Sequence, residues 1–205
     1  MTASESPNVR ASHFWEQRYR DNRTGWDLGG PTPAFVAYLE GPRRPEPGKI
    51  LVVGCGKGHD VLLFARHGFD ALGVDFAPSA VEIGTRAAQE AGLADTARFE
   101  QADIFDLPAR YPAHFDYLLE RACYCAIDPI DRARYVETAA ALLKPGGRII
   151  GQFFLGPQTR PGPPFAATVD ELKRSFAPHF TFERADTPRQ GELDGDDLFG
   201  ILRRT

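Results

Sequence analysis

The sequence predicts an α/β fold in which a mostly parallel, seven-stranded sheet carries helices on both faces. Two observations predict it. From Lys49 onward, short apolar runs alternate with segments of helical length. A glycine cluster also follows the first apolar run directly, as at a strand-to-helix turn of a parallel sheet. The candidate strands are 49–53, 70–74, 97–101, 114–119, 147–154, 180–186 and 196–203.

The segment before the sheet is predicted to be helical. Residues 13–20 form a candidate helix with an aromatic face of Phe14, Trp15 and Tyr19, and a turn-rich stretch follows it. A second helix is predicted to begin at Pro33, because proline is favoured at the first position of a helix. The helices between the strands are predicted at 59–66, 78–91, 131–143 and 168–176.

Length and composition limit the class of protein. A length of 205 residues favours a single domain that spans residues 1–205. Within it, we expect 1–12 to be disordered, 13–48 to form an N-terminal lid and 49–205 to form the core. A net charge of −4 disfavours an electrostatic nucleic-acid binder, and no apolar stretch reaches the roughly 20 residues of a membrane span. Three cysteines are too few for a disulfide framework. We expect a cytoplasmic protein, monomeric or weakly dimeric, that binds neither nucleic acid nor membrane.

The residues after the first strand indicate a nucleoside-binding loop. Gly54, Cys55 and Gly56 begin a Gly-x-Gly-x-Gly turn at the predicted carboxyl edge of the sheet, where such folds bind ligands. Asp75 ends the next apolar run, where its carboxylate can accept the ribose hydroxyls; the alternative is a cap of the following helix. A dinucleotide fingerprint has its third glycine one residue later than Gly58, which favours S-adenosylmethionine.

Further charged residues follow the third and fourth candidate strands. Asp103 is predicted to accept the exocyclic amine of an adenine, with Ile104 and Phe76 against the ring; the alternative is an aspartate that accepts loop amides. Glu120 has two open interpretations, a role at the cofactor ammonium or in proton transfer, and an ion pair with a neighbouring arginine. Arg121 is a candidate to bind an acceptor carboxylate or stabilise a thiolate, and also to neutralise Glu120.

Five sequence elements resemble the thiopurine, thiol and halide methyltransferase superfamily. They are Trp15-x-x-x-Tyr19, Gly25-Trp26-Asp27-x-Gly29-x-Pro31-Thr32-Pro33, Cys125-Ala126-Ile127-Asp128-Pro129, Leu143-Lys144-Pro145-Gly146-Gly147 and Gly162-Pro163-Pro164-Phe165. The resemblance covers roughly residues 13–175, in order. It implies a Rossmann-like class I methyltransferase fold with an N-terminal helical lid, S-adenosylmethionine as cofactor and S-adenosylhomocysteine as product.

The resemblance also implies the residues of the site. By position, members bind the cofactor with Trp15, Tyr19, Trp26, Gly54, Asp75, Asp103, Ile104 and Arg121. Our expected cofactor site adds Cys55, Gly56, Phe76 and Glu120. Aromatic faces suit a cationic sulfonium, although two aromatic residues four apart also form the core face of an ordinary helix. We expect Glu120 and Arg121 in catalysis and His13, Tyr124 and Phe154 in the acceptor pocket. We expect no metal, because Cys123 and Cys125 have no second pair.

The acceptor is less defined than the cofactor. Thiol and halide members usually have Trp where Tyr19 stands, Asp-Tyr where Glu120-Arg121 stands, and Tyr where Phe154 stands. We expect methyl transfer to a small soft nucleophile, a thiol or else halide or thiocyanate, by in-line displacement in a desolvated pocket. The alternatives are a small-molecule O- or N-methyltransferase with Glu120 or a histidine as base, a non-catalytic S-adenosylmethionine-binding module, and a nicotinamide-dependent reductase.

Overall fold

The structure is a computed structural model that describes residues 8–156, 162–186 and 197–205. Its seven-stranded sheet has the order β3-β2-β1-β4-β5-β7-β6, in which β7 is antiparallel to both neighbours and the other pairs are parallel. The strands are β1 Lys49–Val53, β2 Asp70–Asp75, β3 Ala97–Gln101, β4 Phe115–Arg121, β5 Leu143–Phe153, β6 Phe180–Asp186 and β7 Leu198–Arg204. The predicted mostly parallel, seven-stranded sheet is confirmed.

The helices lie on both faces of the sheet, as predicted. They are α1 Ser12–Arg20, α2 Pro33–Glu40, α3 His59–Arg66, α4 Pro78–Glu90, α5 Arg132–Leu142 and α6 Val169–Phe176. One apolar cluster packs α5 and α6 against the sheet, and a second packs α2 and α3 against the opposite face. Among the described residues, no helix combines the length and the apolar character needed to cross a membrane.

Strand β1 explains why the site forms where it does. Its side chains alternate between the two faces, so that Leu51 and Val53 join the first cluster and Ile50 and Val52 join the second. β1 pairs in parallel with β2 on one side and with β4 on the other. The chain therefore leaves β1 toward one side and later returns on the other, which opens a crevice at the carboxyl ends of these strands.

Two boundaries differ from the prediction. Strand β5 begins at Leu143 rather than 147, because the Lys-Pro-Gly-Gly stretch forms an irregularity inside the strand: Leu143 pairs with Phe115, and the register then resumes at Arg148. At the N-terminus, Val9 is buried, with 7% of its surface exposed, and its carbonyl accepts the Trp15 indole N–H at 2.9 Å. Packing therefore begins before residue 13, whereas 1–7 lie outside the described residues.

Candidate active site

A cavity of about 940 Å³ lies at the carboxyl edge of the sheet. It is bounded by the glycine loop after β1, by residues that follow β2, β3, β4 and β5, and by the N-terminal lid. Its volume lies in the usual range of small-molecule sites, roughly 300–1,000 Å³. The predicted site residues that line it are Trp15, Tyr19, Trp26, Gly54, Cys55, Gly56, Asp75, Phe76, Asp103, Arg121 and Phe154.

The glycine loop requires glycine for two different reasons. Gly54 and Gly56 both have φ of +56°, a left-handed backbone conformation that residues other than glycine rarely adopt. They line the cavity, and a Cβ on Gly56 would lie 3.5 Å from the Tyr19 hydroxyl. Gly58 instead precedes α3, and a Cβ there would come within 2.6 Å of the Phe99 ring. The first two glycines therefore shape the cavity, and the third permits close packing of α3.

Asp75 is a buried carboxylate on the cavity wall. Only 8% of its surface is exposed, and burial raises its pKa above the usual value despite the hydrogen bonds that it accepts. Its two oxygens accept the backbone N–H groups of Gly56 and Ala77, each at 2.9 Å. Each carboxylate oxygen can accept more than one hydrogen bond. Asp75 thus fixes the glycine loop, and its oxygens can still accept hydrogen bonds from the hydroxyl groups of a ligand in the cavity.

Asp103 and its neighbours correct one prediction. Asp103 lines the cavity, and its Oδ1 accepts the Phe105 N–H at 2.9 Å at the start of a 3₁₀ helix. Ile104 packs against the apolar cluster of α5 and α6 instead of lining the cavity, so its expected position was wrong. Phe105 lines the cavity, as does Phe76.

The lid places three aromatic rings over the glycine loop. Trp26 lies edge to face with Trp15 at a centroid distance of 5.7 Å and with Tyr19 at 5.9 Å. Trp15 and Tyr19 lie on α1, four residues apart, so that both face the same side of the helix. All three rings line the cavity. The aromatic face of the predicted helix therefore bounds the site.

Three sets of polar contacts hold the lid against the core. Glu16 of α1 accepts hydrogen bonds from the Ser79 N–H at 3.0 Å and the Ser79 hydroxyl at 2.7 Å, at the start of α4. Asp27 forms an ion pair with Lys57 at 2.6 Å and lies 3.3 Å from His59. Arg121 donates from Nη1 to the Trp26 carbonyl at 2.7 Å. Each contact joins residues far apart in the sequence.

A fourth contact fixes the segment that leads into α2. Asp60 accepts hydrogen bonds from both the backbone N–H and the hydroxyl of Thr32, each at 2.8 Å. Neither this contact nor the pairing of Asp27 with Lys57 was predicted from the sequence. The sequence shows only that Asp27 lies in the lid and Asp60 in α3, and the spacing of these residues does not identify their partners.

Glu120 does not line the cavity, which contradicts its expected roles in cofactor binding and catalysis. It is 1% exposed, and Oε1 accepts the backbone N–H groups of Cys123 and Tyr124 at 3.0 and 2.8 Å. Its other oxygen accepts a hydrogen bond from the Tyr135 hydroxyl. Burial raises the pKa of Glu120 to about 7, although these hydrogen bonds oppose the shift. Glu120 therefore supports the turn after β4 from within the core.

The expected acceptor residues divide into one that lines the cavity and two that do not. Phe154 lines it and is 41% exposed. Tyr124 is buried in the core, where its ring packs against Tyr135 and Phe153, so its expected position was wrong. His13 is also outside the cavity, because it lies on the exposed side of α1.

Three cysteines line the cavity: Cys125 is buried, and Cys55 and Cys123 are partly buried. Cys55 and Cys123 both line the cavity, and burial raises the pKa of each thiol well above the usual value. The thiolate is the reactive form of cysteine, so a raised pKa disfavours a nucleophilic role for either residue.

The residues of the cavity fit a nucleoside that carries a cationic sulfonium. Asp75 and Asp103 offer carboxylate oxygens at neighbouring strand ends, as a ribose and an adenine amine require. The loop at Gly54 and Gly56 leaves room that a side chain would fill. The aromatic rings of the lid suit a positively charged sulfur.

Comparison with known proteins identifies the family. The model of the thiopurine S-methyltransferase family matches residues 10–194. A probable thiol methyltransferase 2 of Arabidopsis thaliana is 33% identical over 82% of this chain and 73% of its own length. A thiopurine S-methyltransferase of Pseudomonas fluorescens is 32% identical over 83% of this chain and 84% of its own. A thiocyanate methyltransferase 1 of Brassica oleracea is 32% identical over 80% of this chain and 71% of its own.

Solved structures agree on the fold. A structure from a study of the conversion of a disulfide bond into a thioacetal group during echinomycin biosynthesis has a TM-score of 0.80 at 25% identity, over 94% of this chain and 92% of that one. The Burkholderia thailandensis 1,6-didemethyltoxoflavin-N1-methyltransferase, solved with S-adenosylhomocysteine, has a TM-score of 0.77 at 23% identity, over 100% of this chain and 93% of that one. The chain belongs to the thiopurine S-methyltransferase family and is a Rossmann-like, S-adenosylmethionine-dependent methyltransferase that acts on a small nucleophile.

Proposed function

We propose that this chain methylates a small thiol. The observation that carries the proposal is the opposite orientation of two adjacent residues at the end of β4. Glu120 points into the core, whereas Arg121 lines the cavity. The site thus presents a fixed cation, while Glu120, the carboxylate next to it in the sequence, is kept out of the cavity. A thiol suits this arrangement, because its unperturbed pKa of about 8.5 leaves part of it ionised at neutral pH without a strong base.

The cofactor is proposed to lie over the glycine loop. Gly54, Gly56 and the Asp75 carboxylate would hold its ribose, and Asp103 with Phe76 its adenine. S-Adenosylmethionine supplies an electrophilic methyl group on a positively charged sulfur. The rings of Trp15, Tyr19 and Trp26 would enclose that charge, at about 0.5–2 kcal/mol for each cation–π contact.

The acceptor is proposed to lie beside Arg121 and Phe154. The guanidinium carries N–H groups beyond the one donated to Trp26, and a cation near a thiol lowers its pKa and increases the thiolate fraction. Phe154 and Leu28 are partly exposed apolar side chains that line the cavity. Closure of the lid over them would exclude water, and the main contribution of the protein would then be to hold the nucleophile in line with the methyl group.

Three relatives support a sulfur acceptor. Their names describe a probable thiol methyltransferase, a thiopurine S-methyltransferase and a thiocyanate methyltransferase, and each name refers to a sulfur-containing acceptor. Methylation of an oxygen or nitrogen acceptor would require a positioned base in many cases. His59 lines the cavity but lies beside Asp27, which it contacts across the lid.

An acceptor screen with S-adenosylmethionine labelled at the methyl group tests the proposal. Iodide, thiocyanate, hydrosulfide, thiophenols and phenols would be compared at two pH values. We expect label in thioethers, with thiophenols favoured over the matching phenols. Label found only in methyl ethers, with a steep loss of rate at acid pH, would instead support a base-dependent methyltransferase. Label only in methyl iodide would exclude the thiol as the principal acceptor.

A further inference from the structure

The turn after β4 contains a residue in an unusual backbone conformation. Ala122 has φ of +59°, in the left-handed region that residues other than glycine rarely adopt. Among the described residues, Asn22 and Ala113 also have positive φ without being glycine, but neither lines the cavity, whereas Ala122 does. Such strain persists only where surrounding contacts impose it, and it is often found at functional sites. The contacts that hold Ala122 therefore bear on the function of the site.

Glu120 supplies these contacts from within the core. Its Oε1 accepts the backbone N–H groups of Cys123 at 3.0 Å and Tyr124 at 2.8 Å, the two residues that follow Ala122. Its other oxygen accepts a hydrogen bond from the Tyr135 hydroxyl of α5. Glu120 is 1% exposed and Tyr135 is completely buried. The carboxyl group is thus fixed by α5, and it fixes in turn the chain that leaves Ala122.

The chain that follows Ala122 forms one wall of the cavity. Besides Cys123, this wall contains Cys125, Ala126, Ile127 and Asp128. The wall lies against the glycine loop, since a Cβ built on Gly54 would lie 3.3 Å from the Cys123 Cβ. The Cys125 carbonyl accepts the Phe165 N–H at 2.6 Å, which attaches the loop before α6. The direction in which the chain leaves Ala122 therefore sets the position of the wall relative to both loops.

We propose that Glu120 is a positioning residue for methyl transfer and acts through the left-handed turn at Ala122. By accepting the two N–H groups after Ala122, it holds the cavity wall in place against the glycine loop. Glu120 itself does not line the cavity, so it touches neither cofactor nor acceptor. The inference concerns the shape of the site and not the identity of the nucleophile. It therefore holds for any acceptor and does not depend on the proposed thiol.

Glu120→Ala tests the proposal by removing the acceptor of both N–H groups. The assay uses whichever acceptor the labelled-methyl screen identifies. We expect kcat/KM to fall about 5- to 150-fold, the equivalent of one buried donor left without a partner. Calorimetric binding of S-adenosylhomocysteine should weaken too, because the wall lies against Gly54. Glu120→Gln keeps a side-chain oxygen for the two N–H groups and should retain most of both values.

A second substitution tests whether the turn is the route. Glycine adopts the left-handed conformation without the cost that alanine has, a cost equivalent to about 5- to 30-fold in an equilibrium constant. Adding Ala122→Gly to Glu120→Ala should therefore recover the lost kcat/KM and affinity by about that factor. As a matched control, Phe69→Leu disturbs the second apolar cluster outside the cavity. It should lower the melting temperature and leave both values unchanged.

Three results would overturn the inference. Unchanged kcat/KM and affinity in folded Glu120→Ala would make Glu120 a residue of the core only. An equal loss of kcat/KM in Phe69→Leu, at the same loss of melting temperature, would attribute the effect to general destabilisation. A loss that Ala122→Gly does not recover would exclude the turn as the route. None of these results bears on whether the acceptor is a thiol, which the screen decides separately.

Tyr135→Phe provides the same test if Glu120→Ala does not fold. It keeps the buried ring and removes the hydroxyl that orients the Glu120 carboxyl group. We expect a smaller loss of kcat/KM, about 2- to 12-fold, the equivalent of one hydrogen bond, and recovery when Ala122→Gly is added. No loss in Tyr135→Phe, or a loss that the glycine does not recover, would contradict the proposal.

Discussion

Trp26 is the lid side chain whose removal should weaken cofactor binding most clearly. It forms edge-to-face pairs with Trp15 at 5.7 Å and with Tyr19 at 5.9 Å. Such a pair contributes about 0.5–1.5 kcal/mol beyond the burial of its area, so Trp26→Ala removes about 1–3 kcal/mol from the packing of the lid. If the ligand binds beneath the closed lid, the same energy weakens its binding by about 5- to 150-fold. The hydrogen bond from Arg121 involves the main-chain carbonyl, which the substitution retains.

Calorimetric titration with S-adenosylhomocysteine measures the effect of Trp26→Ala. Trp26→Phe keeps an aromatic ring and should recover part of the lost affinity. Gln17→Ala changes an exposed residue of α1 outside the cavity and should leave the dissociation constant unchanged. Thermal melting of each variant checks that the protein is folded. An unchanged dissociation constant in folded Trp26→Ala would refute the role of the aromatic lid.

Three other substitutions test the remaining parts of the site. Asp75→Ala should weaken S-adenosylhomocysteine binding by about 1–3 kcal/mol in calorimetry, because the ribose hydroxyls lose a buried acceptor; an unaffected affinity would remove Asp75 from the site. Asp27→Asn should weaken binding by only about 0.2–1 kcal/mol, and by less in high salt, because it breaks one partly exposed ion pair with Lys57. A loss that is large and independent of salt would contradict this. Burial raises the pKa of Glu120 from 4.5 to about 7, so its contribution to stability is complete below pH 4.5 and is lost as the pH rises through about 7. Glu120→Gln should abolish this pH dependence in urea unfolding. If Glu120 were instead a general base, the substitution would abolish turnover and leave the pH dependence of stability unchanged.

The sequence predicted the sheet well because its signals are local. Apolar runs bounded by glycine, proline and acidic residues identified all seven strands, and the left-handed turns at Gly54 and Gly56 require the residues seen there. Asp75 and Asp103 were placed correctly on the cavity because strand ends in a parallel sheet share one edge. Only the start of β5 differed markedly, where a proline and two glycines were accommodated within a strand.

The direction of individual side chains could not be predicted in the same way. Glu120 and Arg121 are adjacent, and a shift of one residue decides which of them faces the ligand. The environment of Glu120 depends on Tyr135, which comes from α5 and is brought close only by tertiary packing. Tyr124 was expected in the acceptor pocket, yet its ring packs against the rings of Tyr135 and Phe153 in the core. Local patterns therefore located the site but did not assign each side chain to it.

The most direct test is a crystal structure of the protein with S-adenosylhomocysteine. We expect the ligand at the carboxyl ends of β1 and β2, with its ribose against Asp75 and its sulfur beneath Trp15 and Trp26. Ligand bound elsewhere on the protein, or an empty crevice at a saturating concentration, would contradict the assignment of this cavity as the cofactor site.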